Sequence, residues 1–102
     1  MTDNKFMLDE KDVKILESIL GCIIHPIYVY GSRVKGTAKR FSDIDLYIEG
    51  YLSDEALSNL NTQLEESCLS IKVDIKNQLS PEFLKSIRPD FVPFFAQELD
   101  RA

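Results

Sequence analysis

Asp43 and Asp45, in the run Asp43-Ile44-Asp45-Leu46, are the side chains whose type and spacing bear most directly on chemistry. On a strand, residues i and i+2 share a face with Cα atoms ~6.5–7 Å apart, so two carboxylates there converge on one point. Their repulsion is unfavourable unless a cation stands between them. Mg²⁺ suits such a place, because it takes oxygen ligands and works with carboxylates together with substrate phosphates. Asp74, in Lys72-Val73-Asp74-Ile75, is a third acid set in a largely apolar run, where an unpaired buried charge is costly. If its strand lies beside that of Asp43 and Asp45, three carboxylates gather at one end of a sheet. Such a cluster can hold two metal ions ~3.5–4 Å apart, the arrangement for in-line displacement at phosphorus. The third acid can also help deprotonate an incoming hydroxyl. The plainer readings are an acidic strand edge facing solvent, and an Asp74 that simply pairs with a nearby lysine.

Gly31-Ser32 directly follows the apolar run Ile27-Tyr28-Val29-Tyr30. A glycine there lets the chain turn sharply and lets backbone N–H groups approach a ligand. Ser32 adds a hydroxyl, and N–H groups opening a helix favour an anion. Taken alone, Gly-Ser after a strand is a turn. Arg33, Lys35, Lys39 and Arg40 make the neighbourhood locally basic, and Lys35 and Arg40 are the favoured candidates to meet phosphates. An ordinary solvated basic face explains each of them equally well.

These residues need elements to hold them. Val13, Leu16 and Leu20 recur on one stripe, widened by Ile15 and Ile19, and predict a helix from Asp9 to Gly21 with Asp12, Lys14, Glu17 and Ser18 on its polar side. Ile27–Tyr30 is predicted as a strand, Ser32–Gly36 as a short helix or turn, and Asp43–Glu49 as a second strand. Alternation in that strand sends Ile44, Leu46 and Ile48 one way and Asp43, Asp45, Tyr47 and Glu49 the other. Ser53 caps a helix with the stripe Ala56, Leu57, Leu60 and Leu64, and a third strand runs from Leu69 to Lys76. Ser80-Pro81-Glu82 opens a last helix carrying Phe83, Leu84 and Ile87, which Pro89 limits. The order predicts an α/β fold, a small sheet covered by helices. Phe91, Val92, Phe94 and Phe95 are expected to pack in or at the edge of the core, with a docking surface as the alternative. His25, before Pro26, is expected in a loop rather than as a ligand, and Tyr28 and Tyr30 as strand residues with one buried face.

A chain of 102 residues is one domain, expected over 1–102, and builds one modest core. That leaves no room for a separate acceptor-binding domain. A net charge of -5 argues against direct nucleic-acid binding, which rests on cations neutralising phosphates. Cys22 and Cys68 lie far apart and share no ligand spacing with His25, so both are expected as reduced, buried thiols of a cytoplasmic protein. The first five residues are polar, unlike a signal peptide, and no apolar run reaches the ~20 residues of a membrane span.

The combination of Gly-Ser, ten further residues, Asp-Ile-Asp-Leu on a strand and an isolated acid on a later one resembles the DNA polymerase beta-like nucleotidyltransferase superfamily. The stretch G-S-R-V-K-G-T-A-K-R-F-S-D-I-D-L is similar to that of its minimal nucleotidyltransferases, which consist of the catalytic domain alone. The likeness implies a small mixed β-sheet flanked by helices in the polymerase beta-like fold. It implies an Mg²⁺-dependent enzyme that moves a nucleoside monophosphate, AMP from ATP, to an acceptor hydroxyl. Gly31 and Ser32 would cradle the nucleotide phosphates, while Asp43, Asp45 and Asp74 would be the catalytic acids and ligands of two Mg²⁺ ions. Val34 departs from the alanine common in the G-S-x-A-x-G form, and valine is stiffer in a helical turn. The family further implies a small all-helical partner, a substrate-binding subunit or a HEPN-type toxin that the transferase modifies as its antitoxin. Two other readings compete: a non-catalytic subunit that neutralises its partner by binding, and a transferase for an aminoglycoside-like small molecule, completed by a homodimer.

Overall fold

Apolar alternation in Ile27–Tyr30 and Ile44–Ile48 produces β1 and β2, which pair antiparallel with Val29 opposite Leu46 and Tyr30 opposite Asp45. The computed structural model describes residues 5–39 and 42–95. One face of this hairpin is apolar and sealed: Ile27, Val29, Ile44, Leu46 and Ile48 are fully buried. Helix α1 (Glu10–Leu20) lays Leu16 and Leu20 on that face, and α3 (Asp54–Glu65) adds Leu60 and Leu64. The Ser53 hydroxyl accepts the Ala56 N–H at 3.1 Å and so starts α3 where the sequence places it.

β3 (Val73–Lys76) returns parallel to β2 after α3, with Asp45 beside Asp74. The sheet order β3-β2-β1-β4 is mixed, as the family likeness implies, because β4 (Val92–Pro93) adds antiparallel to β1. β4 was not predicted. It is two residues long and contains a proline, which a sheet tolerates at its edge, where no ladder N–H is required. Phe94 N–H then donates to the Ile27 carbonyl at 2.8 Å and its ring is fully buried, so the expectation of core packing holds for this residue. Val92 is exposed. Helix α2 (Ser32–Lys35) and helix α4 (Pro81–Ile87) complete the elements, with Ser80 accepting the Phe83 N–H.

Several expectations are corrected. Asp12 is 1% exposed rather than on a solvated face. Its carboxylate accepts the Ser70 N–H at 3.1 Å and the Ser70 hydroxyl, satisfying the connection that leads into β3. This segment is thereby drawn toward α1, and β3 begins at Val73 rather than Leu69. Cys22 and Cys68 are free, but both are exposed, because they sit in the connections just beyond α1 and α3. Phe83 is exposed on α4, a helix with no buried residue. Among the described residues, no helix is long and apolar enough to cross a membrane.

Candidate active site

Gly31 ends β1 with φ +84°, a conformation that side-chain-bearing residues rarely adopt. A Cβ built there would lie 2.7 Å from Asp45 Oδ2. The glycine therefore permits both the turn into α2 and the closeness of the backbone to an acid on the neighbouring strand. Gly31 carbonyl accepts N–H groups of Val34 and Lys35, each at 3.1 Å, which coils Ser32–Lys35 into a single helical turn. Val34, the departure from alanine, packs partly buried against the core.

Strand register brings Asp45 next to Asp74, and Asp43 stands one residue before β2. Burial raises the Asp45 carboxyl above its ordinary range, helped by the charges of Asp74 and Asp43 and opposed by Lys76. Asp74 is not left unpaired. Lys76 Nζ donates to both its oxygens, at 3.0 and 2.9 Å, with both side chains partly exposed. The sequence left a lysine partner open without choosing between Lys72 and Lys76. The strand chooses Lys76, two residues on and on the same face. Among the described residues, no three His, Cys, Asp or Glu side chains are gathered around one metal position. Tyr30, opposite Asp45, has its hydroxyl pushed up to about 12 by burial and by Asp45 and Asp74, so it stays a proton donor at neutral pH.

The basic cluster divides. Arg33 is 3% exposed and does not face solvent. Its guanidinium donates to the carbonyls of Phe6 at 3.2 Å, Met7 at 2.9 Å, Lys39 at 3.4 Å and Ser42 at 2.7 Å. It therefore bolts α2 to the N-terminal turn and to the segment that delivers Asp43. Phe6 and Met7 hold positive φ in that turn, a conformation costing ~1–3 kcal/mol per residue that surrounding contacts must sustain. Burial lowers the Arg33 guanidinium from its usual value, with Asp12 and Asp9 opposing. Lys35 is exposed and pairs with Asp90 at 3.5 Å, and Lys39 is exposed. Arg40 lies outside the described residues.

The sheet face that carries Asp45 is partly roofed by aromatic rings. Phe91 stacks on Tyr28 at 5.0 Å and on Tyr47 at 5.4 Å between centroids, and meets Tyr30 at 6.0 Å. Arg88 covers Phe91 from 5.5 Å and reaches Glu49 at 3.9 Å. Alternation in the sequence placed Tyr47 on the acids' face and made Tyr28 and Tyr30 strand residues with one buried face; nothing local announced that Phe91 would unite them. Cavities of about 340 Å³ between the end of α3 and the lead-in to β3, and about 460 Å³ beside α4, are not lined by Asp43, Asp45 or Asp74.

The donor set suits a divalent cation: carboxylate oxygens on adjacent strands, with the Asp45 carboxyl raised by burial first and then by the charges of Asp74 and Asp43. Comparison with known proteins identifies the family. The model of the family described as "Polymerase beta, Nucleotidyltransferase" matches residues 12–89. A relative from Haemophilus influenzae, "Probable protein adenylyltransferase MntA", is 33% identical over 91 residues, covering 83% of this chain and 80% of that protein. The fold is shared with a solved toxin–antitoxin structure with AMP-PNP, at a TM-score of 0.67 and 24% identity, covering 87% of this chain and 77% of that one.

Proposed function

This chain belongs to the minimal nucleotidyltransferases of the polymerase beta nucleotidyltransferase family, and we propose that it transfers AMP from ATP to a hydroxyl on a partner protein. The observation that carries the reading is the Gly31–Asp45 contact beside Asp74. It sets a bare backbone turn against carboxylates on adjacent strands, where a triphosphate and its cations can meet. The relative's name supplies the adenylyl group, and the toxin–antitoxin neighbour with AMP-PNP supports a nucleotide and a protein partner. In this reading the domain, residues 1–102, acts as a cytoplasmic antitoxin on a HEPN-type helical toxin.

Asp43, Asp45 and Asp74 would hold two Mg²⁺ ions. When bound, these ions neutralise phosphate charge and lower the pKa of the attacking hydroxyl. Gly31 admits the phosphates to the backbone, and Ser32 offers its hydroxyl to them. Lys35, steered by Asp90, and Arg40 supply positive charge toward the leaving pyrophosphate. Tyr30 keeps its proton and walls the acids from the aromatic side. The protein positions and polarises, and forms no covalent bond of its own.

The test is mass spectrometry of the protein encoded beside this one after incubation with ATP, Mg²⁺ and this chain. Addition of one AMP, lost with Asp45→Ala, is the expected result. Tight binding without modification, surviving Asp43→Ala and Asp45→Ala, would instead establish neutralisation by binding alone.

A further inference from the structure

Asp74 is the third acid of the site, and its carboxylate is already occupied. Lys76, two residues along the same strand, presents its ammonium to both carboxylate oxygens, at 3.0 and 2.9 Å. Lys76 also lies close enough to Asp45 to offset part of the repulsion that Asp45 feels from Asp74 and Asp43. A monovalent cation on a tether thus stands where the acids would otherwise invite a divalent one.

We propose that Lys76 is a built-in counter-ion which a metal must displace from Asp74, so that metal loading is coupled to arrival of the nucleotide. The inference rests on the nucleotidyltransferase reading of the site and deepens it. A free Mg²⁺ ion entering alone must compete with a covalently tethered ammonium for the same two oxygens, and it leaves that ammonium without a partner. A triphosphate changes the balance, because its oxygens give the displaced ammonium a new anionic neighbour. Metal and nucleotide then favour each other's binding, and the effect is reciprocal. Lys76 acts here through Asp74 and is a positioning residue.

The test measures binding of Mg²⁺ by isothermal titration and by thermal shift, without turnover, for the native chain and for Lys76→Met, Lys76→Arg, Asp74→Asn and Asp45→Asn. Lys76→Met is expected to bind Mg²⁺ alone roughly three- to tenfold more tightly, as removal of one positive charge a few ångströms from a cation site allows. Lys76→Arg, which keeps the charge, is expected to stay near the native affinity. Adding a non-hydrolysable ATP analogue should tighten Mg²⁺ binding more in the native chain than in Lys76→Met. In Asp74→Asn the effect of Lys76→Met should vanish, since the two residues act on one carboxylate. Unchanged or weaker Mg²⁺ binding by Lys76→Met, or an equal analogue effect in both proteins, would overturn the inference. If Asp45→Asn binds Mg²⁺ as well as the native chain, the reading of the site itself fails. If Asp45→Asn loses Mg²⁺ while Lys76→Met equals native, the counter-ion inference alone fails. Should Lys76→Met not fold, Lys76→Gln removes the same charge and takes its place.

Discussion

Gly31 and Asp45 approach so closely across the β1–β2 pair that a methyl group on Gly31 would stand 2.7 Å from Asp45 Oδ2. The contact joins the turn after the first strand to an acid on the second, and it occurs at φ +84°, where glycine has no steric penalty. Gly31→Ala therefore meets both strain and collision. It is expected to lower stability by ~1–3 kcal/mol and to reduce transfer by at least ~10²-fold, through displacement of Asp45. Urea denaturation and a transfer assay measure the two effects separately. Full activity in Gly31→Ala would show that the close approach is unnecessary.

Asp45 gives the fold a pH signature. Its carboxyl titrates above its ordinary value in the native state, through burial first and then through Asp74 and Asp43. Between the unfolded and folded values the native chain binds the extra proton, so stability falls as pH rises through that window and stays lower above it. Metal-free Asp45→Asn should therefore melt at a higher temperature than the native protein at pH 7, and the difference should shrink below the ordinary carboxylate value. A lower melting point for Asp45→Asn at pH 7 would contradict this sign.

Arg33 secures the site from beneath. Four carbonyls from Phe6, Met7, Lys39 and Ser42 converge on a guanidinium that is 3% exposed. Arg33→Met leaves those acceptors without their donor and is expected to cost about 3 kcal/mol. Arg33→Lys should recover less than half of that, because an ammonium cannot reproduce the fork. Chemical denaturation of the three proteins checks the order.

Phe91 should matter more than its place near the chain's end implies. It touches Tyr28, Tyr30 and Tyr47 at once. Phe91→Ala is expected to destabilise by about 2–3 kcal/mol, while Phe83→Ala, on exposed α4, should change stability by less than ~0.5 kcal/mol. A thermal melt of the pair distinguishes them.

What could be read from the sequence, and what could not, follows from how local each signal is. Helix caps at Ser53 and Ser80, the turn at Gly31 and the alternation of Ile44–Ile48 depend on neighbours in the chain, and they appear in the structure where the residues place them. The Asp45–Asp74 adjacency was legible only as a condition, because it needs a parallel crossover through α3. Asp12 and Arg33 misled for one shared reason. Charged residues on a short chain are expected at the surface, yet each is buried by partners 58 and 26 positions away in sequence, such as Ser70 and Met7. β4 stayed hidden because Pro93 weakens every local strand signal, and only pairing with β1 reveals it.

The most direct measurement of the central claim follows which phosphate of ATP moves. The chain is incubated with Mg²⁺, the protein encoded beside it, and ATP labelled at either the α- or the γ-phosphate. Nucleotidyl transfer puts the α-label, and not the γ-label, on the acceptor, and the label should disappear with Asp43→Ala or Asp45→Ala. Transfer of the γ-label, or α-label transfer that survives both substitutions, would contradict it.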